Sequence, residues 1–268
     1  MPTVHDWRSY DDIAEAYERI EAPKLAVVSH DLISLASPPS GGRALDVGTG
    51  TGVTASAAAA AMDAGSLTVG ADPSMGMLLA GASVRPGPRV VAEAIDLPFR
   101  EGTFDLVTAT FVLQHFASYR TALFDMIRVL KAGGRLAVST WADGRDELTS
   151  TWESLVEDVV PREVLVSAKE QAAPWRDRFA HRDAVEEALR GAGLKHVRTE
   201  PAQYHFRYTV DEYVESASIR TLGRFARDML GEEMWRSLVA RARDSFTARF
   251  ADPLNDFRDV ILGVGTKA

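Results

Sequence analysis

The residues best equipped for chemistry form one short run, Ala44-Leu45-Asp46-Val47-Gly48-Thr49-Gly50-Thr51-Gly52. An apolar stretch leads into three glycines at alternate positions, and an Ala-rich segment with a helical pattern follows. Glycines placed so let the backbone turn sharply and let a ligand approach with no Cβ in the way. The amides that open the following helix then favour a negative group. The pattern is G-x-G-x-G, with Val53 where a dinucleotide-binding turn carries its last glycine. Asp46 lies two residues before the first of these glycines, where a carboxylate could hold an ammonium group or an ordered water. A pyrophosphate has no ammonium to offer it. Asp72 closes the next apolar run, Leu67 to Ala71, and is placed to accept hydrogen bonds from both hydroxyls of a ribose. Glu93 ends a third run, where a carboxylate can accept from an adenine amino group while the neighbouring amide donates to the ring.

Further along, Phe104-Asp105-Leu106-Val107 begins a fourth run that passes through Thr110 and Phe111 to His115. His115 follows that run closely enough to serve as a general base, or simply as a capping histidine. Tyr17 reads equally as a ring folded over a ligand or as core packing on an amphipathic helix. Trp141, Trp152, Trp175, Tyr204, Phe206, Tyr208 and Trp235 would suit the walls of a flat, apolar pocket; ordinary core packing explains each of them too. No metal site is expected: there is no cysteine, the six histidines have no paired spacing, and Asp143 alone is too little for a magnesium site.

The elements that must position these residues follow from periodicity. Tyr10, Ile13, Tyr17 and Ile20 make one helical stripe, with Ser9 as N-cap and Asp11 and Asp12 in the first turn; Pro23 restarts the pattern, and Leu25, Val28, Leu32 and Leu35 make a second. Strands are predicted at 43–47, 67–71, 89–93, 104–110 and 134–140. Helices are predicted at 53–63, from Ser74, and at 118–131, the last ending in Gly133-Gly134. Beyond Trp141, helices are predicted at 149–172, 181–190 and over much of 209–250, with strands at 194–200 and 257–265. The alternation predicts an α/β fold: a doubly wound, mostly parallel, seven-stranded Rossmann-like sheet whose last strand is antiparallel. The expected organisation is one unit over 1–268, with an N-terminal helical cap at 1–36, a cofactor-binding core at 43–141, helical lid segments at 143–190 and 209–250, and a closing strand at 256–265.

These motifs resemble the class I S-adenosylmethionine (SAM)-dependent methyltransferases, and most closely the small-molecule group that includes the ubiquinone and menaquinone C-methyltransferases. The resemblance rests on Leu45 to Gly52, the Asp72 tip, Leu97-Pro98-Phe99 followed by Phe104 to Val107, and Arg128 to Gly134. It implies SAM as cofactor and S-adenosylhomocysteine as product. It also implies a binding set of Tyr17, Asp46, Gly48, Thr49, Gly50, Asp72, Pro73, Met77, Glu93, Ala94, Ile95, Thr110 and Phe111. Gly48, Gly50 and Asp46 would line the methionine end, Asp72 the ribose, and Glu93 with Ala94 the adenine. Glu93 stands where many relatives carry Asp, and Ala132 where many carry Pro.

The acidic balance, 30 Lys+Arg against 38 Asp+Glu, argues against a nucleic-acid methylase, which relies on clustered cations. No run approaches the ~18 apolar residues of a membrane helix, and residues 1–8 do not read as a signal peptide. The expectation is therefore a cytoplasmic protein without membrane insertion, acting on a small-molecule acceptor, with homo-oligomers left open. Two readings compete with methyl transfer. One is a SAM-binding protein that catalyses something else or uses SAM structurally. The other is a nicotinamide-dependent oxidoreductase, disfavoured by the glycine spacing and by Asp46.

Overall fold

In the computed structural model, which describes residues 7–144 and 146–268, seven strands form one sheet. They are β1 Arg43–Val47, β2 Leu67–Asp72, β3 Arg89–Val91, β4 Phe104–Thr110, β5 Leu130–Trp141, β6 Lys195–Tyr208 and β7 Leu254–Thr266. Their order is β3-β2-β1-β4-β5-β7-β6; β7 runs antiparallel to β5 and β6, while the β1–β2, β2–β3, β1–β4 and β4–β5 pairs are parallel. Strand order reverses between β1 and β4, and the crevice beyond the carboxyl ends of those strands is where a sheet of this kind binds ligands.

Helices cover both faces. The chain opens with a 3-10 helix, Trp7–Ile13, followed by α1 Ala14–Ile20 and α2 Ala22–Ala36. Pro23 sits in the first turn of α2, where its missing N–H costs nothing. The Ser9 side chain, the expected N-cap, lies outside the described residues. In the core, α3 Val53–Ala61 follows β1, α4 Met75–Ala82 follows β2 and α5 Tyr119–Val129 precedes β5. Ser74 caps α4 by accepting from the Met77 amide, and Ser118 caps α5 through the Thr121 amide.

Several boundaries differ from the sequence reading. The third strand stops at Val91 rather than 93. The helix expected over 118–131 ends at Val129, and Gly133-Gly134 lies inside β5, where the β4 register jumps between Phe104↔Leu130 and Leu106↔Arg135. The predicted helix 149–172 is two, α6 Glu147–Glu157 and α7 Arg162–Ala172, separated at Pro161, which cannot donate into a helical ladder. After α8 Arg176–Phe179 and α9 Arg182–Gly191, the 209–250 stretch divides into α10 Val210–Ile219 and α11 Thr221–Arg249, with α11 broken at Gly231 (φ 71°, ψ 170°).

The last two strands run longer than predicted, and this shapes the site. β5 ends against β7 at the Trp141↔Val260 pair, whereas β6 and β7 stay paired out to Tyr208↔Leu254. Residues 203–208 and 254–259 therefore continue past the end of β5 as a two-stranded ribbon. Its alternate residues Tyr204, Phe206, Tyr208, Leu254 and Asp256 are buried. The aromatic side chains join Trp152, Tyr213, Trp235 and Phe246 from α6, α10 and α11 in one apolar cluster.

Candidate functional site

The glycine loop is fixed from below and above. Gly48, Gly50 and Gly52 all have positive φ (67°, 54° and 92°). The Gly48 amide donates to the Ala71 carbonyl at 2.8 Å, tying the loop to β2. A Cβ at Gly48 would come within 2.5 Å of Val112 Cγ1, so both conformation and space require glycine there. Met77 on α4 lies across the loop, its Cε 3.2 Å from where a Gly50 Cβ would stand.

Two buried carboxylates flank this loop and are used differently. Asp46 accepts from Thr108 Oγ1 at 2.6 Å, Thr49 Oγ1 at 2.7 Å and the Ala55 amide at 3.1 Å. It thereby pins β4, the loop and the start of α3 together. Oδ2 thus has two protein partners and Oδ1 one, which leaves a single acceptor site on Oδ1 for the ammonium or water at which the sequence reading aimed Asp46. Burial pushes its pKa up to about 6, against the pull of those three hydrogen bonds.

Asp72 accepts one amide on each oxygen, Gly50 N at 2.7 Å and Ser74 N at 2.9 Å. A carboxylate has about four lone-pair sites, so one acceptor site is left on each oxygen, which suits a vicinal diol. Burial also pushes Asp72 up to about 6, again against its two amide partners, with the nearby Asp11 carboxylate adding to the rise. Tyr17 on α1 is half-buried close to Asp72; burial first, then Glu21, Tyr10, Asp72 and Glu18, raise its phenol well above the usual range and keep it protonated. Pro73 lies between Asp72 and Ser74.

The adenine candidates form a separate edge. Glu93 is exposed in the turn after β3, its carbonyl accepting from the Asp96 amide; Ala94 is buried and Ile95 half-exposed. This turn is held beside β2 by the Ala92 amide, 3.3 Å from the Asp72 carbonyl.

On the other side of the crevice, Thr110 at the end of β4 accepts from Thr54 Oγ1 on α3 at 3.0 Å. Phe111 has φ 57°, a strained conformation for a bulky side chain, and stacks on Trp141 with centroids 3.9 Å apart. Its amide bonds the Ser139 carbonyl, so β5 holds the turn in place. His115 follows in a 3-10 turn, Leu113–His115. Its Nδ1 lies 2.9 Å from the Ala172 carbonyl. A carbonyl only accepts, so Nδ1 carries the proton and the neutral ring keeps a bare Nε2. Desolvation, then the Arg224 and Arg176 guanidiniums, push His115 below its ordinary pKa, against the Ala172 carbonyl. Trp175 braces this loop, donating from Nε1 to the Phe116 carbonyl at 2.9 Å.

Sequence reasoning missed three parts of the site. Val112 fills the space against Gly48. Asp11, expected to serve its own helix, reaches α4 instead. A charged cluster lies behind the aromatic wall: Arg258 Nε donates to the fully buried Asp256 at 3.0 Å, Asp256 is pushed to about 7 by burial and by Asp146, and Arg220 on the α10–α11 link lies 3.6 Å from Glu21. No periodic signal marked this cluster: Asp256 and Arg258 share the inward side of the strand with Leu254 and Val260, and their polarity interrupts the apolar alternation. Among the described residues, no group of three or more His, Asp or Glu converges as a metal site would require.

A doubly wound sheet with a glycine loop and an acidic β2 tip at its switch point, closed by an antiparallel β7, defines a Rossmann-like class that binds an adenosine-containing cofactor. The methyltransferase-domain family matches residues 45–138. The demethylmenaquinone methyltransferase of Corynebacterium urealyticum is 40% identical over 102 residues, covering 38% of this chain and 43% of that protein. That of Mycolicibacterium paratuberculosis is 33% identical over 168 residues, 59% of this chain and 70% of its own length. The chain spans about half the length of the first curated relatives it matches. The phosphoethanolamine N-methyltransferase 2 of Haemonchus contortus, solved with SAM, shares the fold at TM-score 0.59 and 18% identity, over 99% of this chain and 60% of that one. This chain belongs to the class I SAM-dependent methyltransferases, akin to the quinone methyltransferases.

Proposed function

We propose that this protein moves the methyl group of SAM to a small, flat acceptor of the quinol type and releases S-adenosylhomocysteine. The observation that carries the reading is Asp72, held by two loop amides with one acceptor site free on each oxygen beside a cradle that only glycine can form. When bound, SAM supplies a methyl group already activated by its sulfonium. The protein's share is alignment, exclusion of water and disposal of a proton. Asp72 would take the ribose hydroxyls, the Glu93–Ile95 turn the adenine, and Gly48, Gly50 and Thr49 the methionine end. Met77 and Tyr17 would close over the cofactor.

The acceptor would lie beyond Thr110, between the Phe111–Trp141 stack and the ribbon, with the helices within 7–36, 143–190 and 209–250 as its cover. The name demethylmenaquinone methyltransferase in the relatives, together with this aromatic wall, supports a fused-ring quinol. Transfer would attach the methyl to the acceptor's electron pair, leave the carbon–sulfur bond's pair with the departing sulfur, and require the acceptor to give up one proton. The bare Nε2 of His115 is the proton acceptor of choice.

Calorimetry with SAM, S-adenosylhomocysteine and NAD, followed by S-adenosylhomocysteine formation with 1,4-dihydroxynaphthalene, tests the reading. The expected result is binding of the first two ligands only, with turnover that depends on the added quinol. Binding of NAD in their place would overturn it, and SAM binding with no turnover across quinols, phenols and amines would leave a protein that binds SAM for another purpose.

A further inference from the structure

Asp11 sits in the first 3-10 helix yet spends its carboxylate on a helix of the cofactor core. Its Oδ1 accepts from the Gly76 amide at 2.7 Å and from Ser74 Oγ at 2.6 Å. Ser74 Oγ also takes the Met77 amide at 3.2 Å, and the Ser74 amide donates to Asp72 Oδ1 at 2.9 Å. Through Ser74, hydrogen-bonded to Asp11 by its hydroxyl and to Asp72 by its amide, the N-terminal strap is therefore linked to the β2 acid. The strap lies directly on the helix: a Cβ at Gly76 would stand 2.7 Å from Asp11 Cα and 2.9 Å from its carbonyl oxygen. A carboxylate over the first amides of α4 also complements that helix's dipole.

Past Asp11 the strap is gripped from both sides. Glu18 on α1 pairs with Arg85 at 2.6 Å, both largely buried, just after α4. On the acceptor side, the Arg224 guanidinium of α11 lies 4.3 Å from the Tyr10 ring centroid. Arg19 pairs with Glu215 of α10 at 2.5 Å, and Ser216 of α10 donates to Glu21.

We propose that Asp11 is a positioning residue for the cofactor: it holds Ser74 and the start of α4 so that Asp72 faces the crevice, and through the strap it links that site to the helices over the acceptor. This rests on Asp72 being the ribose ligand.

Three variants test it, Asp11→Ala, Asp11→Asn and Gly76→Ala. The readouts are S-adenosylhomocysteine affinity by calorimetry, its pH dependence, ligand-free thermal unfolding, and KM for SAM against kcat with 1,4-dihydroxynaphthalene. Asp11→Ala and Gly76→Ala should each weaken binding and raise KM about tenfold, as loss of a helix cap and its docking would, with kcat at saturation nearly unchanged. Asp11→Asn keeps an oxygen acceptor and should bind nearly as wild type at neutral pH. The charged or titratable groups near Asp72 are Asp11 from the strap, Asp46 from β1 and Tyr17 from α1. Removing the Asp11 charge alone should therefore move the acid limb of ligand affinity to lower pH. Wild-type affinity in Asp11→Ala, or a lower unfolding midpoint with unchanged affinity in all three variants, would overturn the proposal. A wild-type protein that binds neither SAM nor its product would instead overturn the ribose assignment beneath it.

Discussion

Asp72 has two protein partners and keeps an acceptor site on each oxygen, while Asp46 has three, Thr108, Thr49 and the Ala55 amide, that tie β4, the loop and α3 together, so the two buried acids should fail differently when removed. Asp72→Ala should weaken SAM binding by about 1–3 kcal/mol, the scale of a lost pair of charge-assisted hydrogen bonds, with calorimetry as the check. An unaltered dissociation constant would refute the ribose assignment. His115 tests the chemistry apart from binding. With Nδ1 committed to Ala172, replacing the ring by Gln removes the Nε2 acceptor, and kcat should fall about 10²–10⁴-fold at constant SAM affinity. Because its pKa lies below the ordinary histidine value, the ring is neutral at pH 7, and the acid limb of kcat should fall below that value. A limb at or above it would point to another base.

Elements place these residues through close backbone contact, and α4 shows it most sharply. A Cβ at Gly81 would stand 2.1 Å from the Thr51 carbonyl, so this helix rests directly on the glycine loop. Gly81→Ala should destabilise the fold by about 1–3 kcal/mol and loosen the cradle, visible as a lower urea midpoint together with weaker SAM binding. A variant as stable as wild type would mean that α4 can shift freely. The same element shows what a sequence discloses. Its N-cap Ser74, the Asp72 tip and the glycine loop are all local signals: a residue type at a fixed distance from a turn. The contact between Gly76 and Asp11 joins residues far apart in the chain and leaves no periodic trace. Local signals can also mislead, since Gly133 has the positive φ (76°) of a helix C-terminus but spends it on the bulge that opens β5. Alternation likewise says little about a strand whose inward face carries Asp256 and Arg258, because polar residues break the pattern that marks an inside. The residues proposed for the cofactor were legible because their signals are local; Trp152, Tyr204, Phe206, Tyr208 and Trp235 were legible as aromatic candidates, but not their gathering from α6, α11 and the ribbon into one cluster.

At the scale of the whole molecule, burial has lifted three carboxyls among the described residues, Asp46 and Asp72 to about 6 and Asp256 to about 7, above the ~3.9 of an unfolded chain. Between those limits the native state holds protons that the unfolded state has released. The stability these groups contribute is thus complete below about pH 4 and is lost as pH rises through about 6 to 7. Asp105 and Asp125 act oppositely: burial resists their ionisation, but Lys131 and Arg128 outweigh it and hold both below the usual value. Their contribution is present above about pH 4 and disappears as pH falls through their lowered values. The lowered pKa of His115 works the other way over this window, but it is one group against three, so the ligand-free protein should be most stable near about pH 5 and lose unfolding temperature towards about pH 7.5. SAM should reverse part of that slope. On the proposed role of Asp72, ribose hydroxyls would donate to its ionised form, so ligand stabilisation should grow as pH rises past about 6, where ionisation no longer has to be driven by binding. Scanning calorimetry at about pH 5, 6 and 7.5, with and without SAM at fixed ionic strength, measures both slopes at once. A ligand-free midpoint that climbs from pH 5 to 7.5 would show that the buried acids are ionised without cost. A SAM increment that shrinks over the same range would remove Asp72 from the binding site.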